Sequence, residues 1–341
     1  MIENIGYLCG EDLKELPYWE TVNNYLERVK PEELQNTLCA LVKRLIRSRA
    51  FENARIRGRY WQILIDATGI TSSRKELDGS YIFKTHHKGT AEEYKEYFYY
   101  ALEAKLFLGK SIVVSVMTEF VENKDREWEK QDCERKACKR LMKRLKEMFP
   151  KLPICLSGDS LYACKPFFQA CEEYHWRYIV RYKEGSIPSV FQEFEALRQL
   201  NGNQRKGTDG KMSYRYDFVS EIDYKGHKLN CLEYCEEAKP YPFVFLTNLP
   251  LSHRNARETA FYGRRRWKIE NRSEKSRLCA GPSVQPELSG YEESRLPDSN
   301  RSHDCSNHGR VEIALDRNPA KQRTETQANA RIMENPKAFG I

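Results

Sequence analysis

The fold is decided by two apolar stretches that each close on an aspartate: Ile63-Leu64-Ile65-Asp66-Ala67-Thr68-Gly69 and Pro153-Ile154-Cys155-Leu156-Ser157-Gly158-Asp159-Ser160. Continuous apolar runs of this length, bounded by turn-forming residues, are typical of strands buried on both faces of a sheet. Carboxylates at the ends of such strands lie at the rim of the sheet, where α/β folds place their chemistry. We therefore expect Asp66 and Asp159 at strand ends, on the rim of an α/β sheet.

A third acid lies far downstream in a strongly basic segment, Arg264-Arg265-Arg266-Trp267-Lys268-Ile269-Glu270-Asn271. Three acids with basic surroundings suggest metal-dependent chemistry on a phosphate backbone. Arg266 precedes Glu270 by one helical turn, so both share a helix face and Arg266 is suited to binding a phosphate beside the metal. Trp267 either stacks on a base near the cut or belongs to the core.

The composition indicates a basic intracellular protein. The net charge of +8, with 31% charged residues, favours a polyanionic partner such as nucleic acid, although other basic proteins share this balance. No run approaches the ~18 apolar residues of a membrane span, and Met1-Ile2-Glu3-Asn4 does not begin a signal peptide. The 11 cysteines lack disulfide or zinc spacing, so we expect free thiols and a cytoplasmic protein.

The order of predicted elements is that of a mixed α/β layer. A helix from Pro31 with an apolar face precedes the first acidic strand, and a hairpin, a helix, the second acidic strand, a helix and a strand follow it. These predicted segments are a weak strand at 81–86, the hairpin 97–107 with 111–121, helices at 126–149 and 160–174, and a strand at 176–182. Strand-like pieces at 213–222, 228–233 and 243–247 indicate a β-rich insertion.

Two basic faces are candidates for contact with DNA. The first follows the N-terminal helix, within 43–59, and the second is the outer face of the 126–149 helix, which has no acid between 135 and 146. A helix face whose charges all have the same sign is unfavourable because the charges repel each other, and this favours a phosphate partner. An ordinary solvated face fits each pattern about as well. The second face supplies the candidate DNA-binding residues Lys139, Arg140, Lys143 and Arg144.

The last 70 residues differ in character from the rest. Of the 5 Trp, 20 Tyr and 15 Phe residues, only Tyr291 and Phe339 lie beyond residue 271. Such a segment has too little apolar surface to offset its conformational entropy. We expect three regions: a helical DNA-contacting region at 1–59, a catalytic domain at 60–271 with its insertion at about 184–250, and a disordered tail at 272–341.

Three segments carry a family resemblance: Ile65-Asp66-Ala67-Thr68-Gly69, Gly158-Asp159-Ser160-Leu161-Tyr162 and Gly263-Arg264-Arg265-Arg266-Trp267-Lys268-Ile269-Glu270-Asn271. Together they resemble the acidic motifs of bacterial insertion-sequence DDE transposases, in the group with a β-strand insertion before the final glutamate. The resemblance covers roughly residues 15–271, and its last two motifs are the specific ones.

The resemblance implies an RNase H-like fold and cut-and-paste movement of double-stranded DNA with terminal inverted repeats. It implies two Mg²⁺ (or Mn²⁺) ions, with Asp66 bridging both, Asp159 holding one and Glu270 the other. It also implies a homodimer in the active complex, a bacterial cytoplasm associated with the nucleoid when DNA is bound, and no membrane. Within the last motif, the residues that would contact DNA are Arg264, Arg265, Arg266 and Trp267.

The chain departs from the family at its last motif. The family places Tyr seven residues before the Glu and Lys seven after it, where this chain has Gly263 and Arg277. Because the sequence also turns polar after Asn271, we expect a frameshift or junction near residue 272, against the alternative of a naturally divergent tail.

Two other functions compete with an active transposase. The chain could be an inactive DNA-binding remnant that keeps the basic helices. Asp66-Ala67-Thr68-Gly69 also resembles the aspartyl nucleophile of phosphatases, but these need a second acid beyond the Gly158-Asp159 loop, and Ser160–Gln169 contains none.

Overall fold

The computed structural model describes residue 10 and residues 12–266, apart from 13, 78, 110–111, 124–130, 184, 211, 238 and 240. The helices are α1 (Trp19–Leu26), α2 (Pro31–Arg47), α3 (Glu134–Met148), α4 (Lys165–Glu173), α5 (Pro188–Asn201) and α6 (Ala256–Arg264). The strands are β1 (Trp61–Ser73), β2 (Ile82–His86), β3 (Tyr94–Phe107), β4 (Val113–Val121), β5 (Ile154–Gly158), β6 (Arg177–Tyr182), β7 (Arg205–Asp209), β8 (Met212–Tyr224), β9 (His227–Glu236) and β10 (Phe243–Thr247).

The strands described above form one ten-stranded mixed sheet. Its order is β2-β3-β1-β5-β6-β10-β9-β8-β7, and β4 pairs with the second half of β3. β4, β3 and β1 are antiparallel neighbours, whereas β1, β5 and β6 run parallel. Three antiparallel strands followed by two parallel ones are the arrangement of an RNase H-like sheet, so the predicted mixed α/β class is confirmed.

Helices cover both faces of this sheet. On one face, α2, α3, α4 and α5 enclose the larger core, which contains Ile63, Leu141 and Phe168 among many fully buried side chains. On the other face, α6 packs through Ala256 and Ala260 against a second core. The first five residues of β1, Trp61–Ile65, and all of β5 are buried on both faces, as their apolar runs predicted.

The position of Asp66 corrects one prediction. It does not end its strand but is an interior residue of the 13-residue β1, which continues to Ser73. The extension forms because the antiparallel neighbour β3 goes on pairing with β1 as far as Ser73 opposite Tyr97, well beyond the end of the parallel neighbour β5. Asp159 does follow the last residue of its strand.

The helix predicted at 126–149 begins later, at Glu134. Residues 126–130 lie outside the described residues, and of the next three, Gln131 and Asp132 bond backbone groups of β2 and of the residue after β4 instead of forming a helical turn. The Gln131 side chain bonds the backbone of Phe83 through both its oxygen and its nitrogen, and the Asp132 carboxylate accepts from the backbone N–H of Glu122.

The helix predicted at 160–174 is divided into two. A short 3₁₀ helix spans Ser160–Tyr162, and α4 begins after Cys164, whose extended backbone (φ −152°, ψ 152°) interrupts the helix.

In the region predicted as an insertion, the three expected strands correspond to β8, β9 and β10, which extend the main sheet through the pairing of β10 with β6. The sequence did not predict α5 or β7. The strand β7 gives no signal because it is polar, largely exposed at the sheet edge and without apolar alternation. In the part of the chain that the structure describes, no helix is long and apolar enough to cross a membrane.

Candidate active site

The register of β1 and β5 places Asp66 beside Asp159, the residue that follows β5. β1 and β5 pair with Leu64 opposite Ser157, so continuing this register by two residues brings Asp66 beside Asp159. Equivalent positions of adjacent parallel strands project to the same face, with the strands about 4.8 Å apart. The structure therefore brings together the two aspartates selected from the sequence, although only one of them ends a strand.

The same row continues into β6. Gly158 pairs with Val180, which brings the following residues, Asp159 and Arg181, beside each other. Burial and then the nearby Arg266 guanidinium lower the pKa of Arg181. The sequence prediction did not include Arg181, which is one of two arginines in the strand Arg177-Tyr178-Ile179-Val180-Arg181-Tyr182.

Packing and a hydrogen bond explain the glycine and the aspartate of the Gly158–Tyr162 motif. Gly158 carries no side chain because a Cβ there would lie 2.4 Å from the Tyr162 ring. Asp159 begins the 3₁₀ helix, and its Oδ1 accepts a hydrogen bond of 2.8 Å from the backbone N–H of Leu161. Glycine therefore allows the aromatic ring to pack under the loop, and the cap fixes the orientation of the Asp159 carboxylate.

A third carboxylate, Glu134, belongs to the same surroundings. It is the first residue of α3 and accepts a hydrogen bond from the buried Tyr162 hydroxyl. Burial raises the pKa of Glu134, and the negative charges of Asp159 and Asp66 raise it further. The pKa of Tyr100, on the neighbouring strand β3, is raised by burial and by these three carboxylates.

Arg266 follows α6 and contacts Asp66, one member of the aspartate pair. Its Nη1 donates to Asp66 Oδ1 at 3.3 Å, with 14% of the Arg266 side chain exposed. Arg266 is therefore placed beside both Asp66 and Arg181. Two arginines and two carboxylates in this arrangement can bind a phosphate and a cation side by side.

The two arginines before Arg266 have structural contacts. Arg264 pairs with Glu236, and its guanidinium lies 4.9 Å from the Phe243 ring centroid. Arg265 donates to Gln62 Oε1 at 3.0 Å and lies 4.3 Å from the Phe107 ring centroid, and burial lowers its pKa. Both were selected as DNA contacts, and the structure places them within the fold.

Gly263 occupies the position at which the family has tyrosine. A Cβ at Gly263 would lie 2.5 Å from the Phe245 ring, so α6 approaches β10 too closely there for a side chain. The adjacent Tyr262 is 5% exposed; its hydroxyl donates to Glu258 and accepts from the backbone N–H of Arg57 at 3.4 Å.

The four candidate DNA-binding cations on the outer face of α3 fall into two groups, one paired with acids and one exposed. Arg140 and Arg144 pair with the Glu119 carboxylate of β4 at 2.6 and 2.7 Å, and Arg140 also pairs with Asp132 at 2.7 Å. Lys139 and Lys143 are exposed, and the Lys143 ammonium is 4.0 Å from Glu147. The self-repulsion inferred from the helix alone is therefore relieved by acids that the sequence places elsewhere.

The basic segment at 43–59 is divided in a similar way. Arg57 donates to the Pro250 carbonyl at 3.0 Å and to Thr259 at 3.1 Å, and Arg55 pairs with Glu52 at 2.7 Å. The exposed members of the segment are Arg44, Arg47, Arg49 and Arg59.

The donors at the aspartate pair fit a hard divalent cation. Mg²⁺ is usually bound through one or two carboxylates together with water and substrate phosphates, and Asp66 and Asp159 supply two such groups. Across the residues described between 10 and 266, no three His, Cys, Asp or Glu side chains are grouped in a way that would hold a metal ion. The predicted third ligand, Glu270, and the predicted DNA contact Trp267 lie outside the described residues, as does the 272–341 tail.

An RNase H-like sheet that carries an aspartate on β1 and another directly after β5 is the arrangement of nucleic-acid-processing enzymes. The family model of the transposase DDE domain matches residues 57–279, more than half of the chain. The chain therefore belongs to the transposase DDE domain family, whose members act on DNA and use divalent metal ions.

A solved structure is similar at greater distance: a piggyBac transposase synaptic complex with hairpin DNA, determined by cryo-electron microscopy. The TM-score is 0.35 and the identity 11%, over 64% of this chain and 40% of that chain. This chain thus corresponds to less than half of that protein's length. None of the curated proteins matches this chain.

Proposed function

We propose that this chain is a DNA transposase that cleaves the ends of an insertion sequence and transfers the cut strands to a new site. The observation that carries the proposal is the row formed by Asp66 on β1, Asp159 at the end of β5 and Arg181 on β6, with Arg266 placed against Asp66. Paired carboxylates beside paired guanidinium groups suit a phosphodiester, whose charge grows during in-line displacement.

Each residue then has a specific role. Asp66, Asp159 and Glu270, the latter four residues beyond Arg266, would hold two divalent ions, Mg²⁺ or Mn²⁺, which when bound activate an attacking oxygen and stabilise a leaving oxygen. Arg266 and Arg181 bind the oxygens of the phosphate beside the carboxylates. Tyr162 and the Leu161 backbone N–H hold the Asp159 loop in place through contacts with Glu134 and with Asp159 itself.

The partner in this proposal is duplex DNA bearing terminal inverted repeats, bound by a homodimer in a bacterial cytoplasm and associated with the nucleoid. The exposed cations of α3 and of the 43–59 segment supply contacts to the DNA backbone. Trp267 would lie at the cut end, where it would stack on a base.

The second candidate is an inactive remnant that binds DNA without cutting it. The observation that favours it is the departure of the chain from the family after Asn271, where a frameshift or junction is proposed. An aspartyl phosphatase is not favoured, since the Asp66 carboxylate of β1 is paired with Arg266 and no acid follows in Ser160–Gln169.

The test is Mg²⁺-dependent nicking of supercoiled plasmid that carries the genomic flanks of the gene. We expect wild type to nick the plasmid, and Asp159→Asn to lower the rate by about a thousandfold, because carboxylate ligands supply several kcal/mol at the transition state. Asparagine keeps the acceptor for the Leu161 N–H, so the loop stays folded.

The matched control is Asp223→Asn. Asp223 is exposed, lies near the β8–β9 turn and pairs with Lys228 at 3.5 Å. The variant should nick at the wild-type rate. Wild-type nicking that survives Asp159→Asn contradicts the proposed site. DNA binding without nicking by wild type supports the remnant.

A further inference from the structure

A buried glutamine, Gln62, lies on β1 four residues before Asp66 and is fully excluded from solvent. Its Nε2 donates two hydrogen bonds of 2.8 Å, one to Ser157 Oγ and one to the Tyr262 carbonyl. Its Oε1 accepts a third, at 3.0 Å, from Arg265 Nη1. One amide group therefore bonds to β5 and, twice, to the α6 segment.

These partners allow one orientation of the amide. Rotating it by half a turn would point its two N–H groups at the Arg265 donor and its oxygen at the Tyr262 carbonyl, which pairs like with like. Both donors and one acceptor of Gln62 are used, and a buried amide that loses such bonds is unfavourable. Gln62 is thus held in place, and its partners are held relative to it.

The three elements that Gln62 joins are the ones that carry the candidate active site. β1 carries Asp66, and the α6 segment continues from Tyr262 and Arg265 directly into Arg266. The third element, β5, leads into Asp159, two residues after Ser157. Alternation along a strand puts Gln62 and Asp66 on one face of β1, and the hydrogen bond places Ser157 on the same side. On that face Leu64 lies between Gln62 and Asp66, and the amide bonds Ser157, the residue opposite Leu64.

Part of the contact between α6 and the sheet is made by small residues. Ala256 and Ala260 belong to the second core, and Gly263 lies against the Phe245 ring. Directional hydrogen bonds add to this packing, because their energy falls steeply with angle and distance. Arg57 donates two of them to α6, to Thr259 and Tyr262, and the bonds of Gln62 join the α6 segment to β1 and β5.

We propose that Gln62 is a positioning residue that sets the α6 segment against β1 and β5, so that Arg266 meets Asp66 and Asp159 at the distance that phosphate chemistry requires. The proposal rests on the proposed function for its catalytic consequence. Its structural consequence, the position of α6, stands independently of activity.

The experiment uses the full chain with Gln62→Met, which keeps the volume and removes all three hydrogen bonds. The single-turnover rate of Mg²⁺-dependent plasmid nicking should fall by about ten- to a hundredfold, the effect of misplacing catalytic groups by up to about 1 Å. The affinity for the same DNA, measured by fluorescence anisotropy, should stay within about twofold, because Gln62 is buried and cannot contact DNA. A milder variant, Ser157→Ala, should lower the rate less, since the two bonds to the α6 segment remain.

The matched control is Asn230→Leu, a buried amide on β9 whose Nδ2 donates to the Leu249 carbonyl at 2.8 Å and whose Oδ1 accepts from the Glu221 N–H at 3.0 Å. It should lower the unfolding midpoint in urea while the rate of the folded protein stays at wild-type level. A purely structural role for Gln62 would give the same pattern in both variants and would overturn the proposal.

Hydrogen exchange supplies a measurement that does not depend on cleavage. Gln62→Met should speed the exchange of amides in 256–264 and 158–162 beyond any global change, and Asn230→Leu should not. If wild type does not nick DNA, the proposed function fails while this measurement still decides the position of α6. Equal exchange of α6 in both variants would refute the positioning role.

Discussion

Two acids near the start of α3, two residues apart, have opposite environments. Both carboxylate oxygens of Asp132 accept hydrogen bonds from Arg140, at 3.2 and 2.7 Å. Burial acts to raise the pKa of Asp132, but the hydrogen bonds from Arg140 and from backbone N–H groups outweigh burial, and the pKa is lowered. Glu134 faces Tyr162, Asp159 and Asp66, and its pKa is raised by burial and by those carboxylates. The first acid neutralises an arginine; the second adds charge to an acidic site.

The difference shows which cations are available to a phosphate. Arg140 and Arg144 satisfy acids of β4 and of the segment before α3, so binding DNA would require them to give up existing partners. Arg266 also has a carboxylate partner, Asp66, at 3.3 Å, but there Asp159 and Glu134 add further negative charge. These mutually repelling carboxylates favour binding of a cation, which would compete with Arg266 for Asp66.

The largest expected effect separates these two arginine environments directly. Arg266→Ala should slow Mg²⁺-dependent nicking by about a hundredfold, because a positioned cation that stabilises developing charge is worth about this much. Arg144→Ala should lower the free energy of unfolding by about 1 kcal/mol, the ordinary contribution of a partly exposed ion pair, without slowing the folded enzyme. Single-turnover nicking and urea unfolding give the two values, and equal losses of rate would erase the distinction.

A smaller effect concerns the two acids and pH. The pKa of Asp132 is lower in the folded state than in the unfolded state, so its ionised carboxylate stabilises the fold. This stabilisation is fully present at pH values above the unfolded-state pKa, and it is lost as the pH falls through the folded-state pKa. Asp132→Asn should therefore cost about 1 kcal/mol at pH 7 and progressively less below pH 3.8.

Glu134 should behave with the opposite sign. The pKa of Glu134 is higher in the folded state than its unfolded-state value of 4.5, so the ionised carboxylate destabilises the fold at neutral pH. Below pH 4.5 the carboxyl group is protonated in both states, and this destabilisation is absent. Glu134→Gln, which keeps an acceptor for Tyr162, should raise the free energy of unfolding by about 0.5–1 kcal/mol at pH 7 and leave it unchanged at pH 4. Urea titrations in EDTA, followed through the buried Trp61 and Trp176, measure both variants, and shifts of the same sign would contradict this picture.

The smallest effect concerns the exposed lysines of α3. The dependence of log K on log salt becomes flatter by about 0.9 for each DNA phosphate that the protein no longer neutralises. The double variant Lys139→Gln/Lys143→Gln should therefore reduce the slope for duplex DNA by up to about 2. The control, Lys225→Gln/Lys228→Gln at the exposed β8–β9 turn, should leave it unchanged. A slope unaffected by the first pair would mean that this face is only solvated.

Much of this architecture was predictable because its signals are local. The apolar runs of β1 and β5 specify strands buried on two faces, and the Gly158–Tyr162 motif gives the tight approach of the ring to the loop. The starts of α3 and α4 were less predictable, because tertiary hydrogen bonds of Gln131 and Asp132 replace helical ones and the extended Cys164 interrupts the second helix. β7 has no periodic pattern, since an exposed edge strand needs no apolar face.

The sequence by itself predicted the mixed α/β class and the family, and it selected the two aspartates and Arg266 as candidate site residues, because strand burial and motif residues follow from local chemistry. Only the tertiary structure decided what the charges do. The register of β1, β5 and β6 added Arg181 to the row of aspartates, and packing assigned Arg140, Arg144, Arg264 and Arg265 to partners within the fold. The reason is physical: the energy of a charge depends on what lies within a few ångströms of it, and those neighbours come from distant parts of the chain.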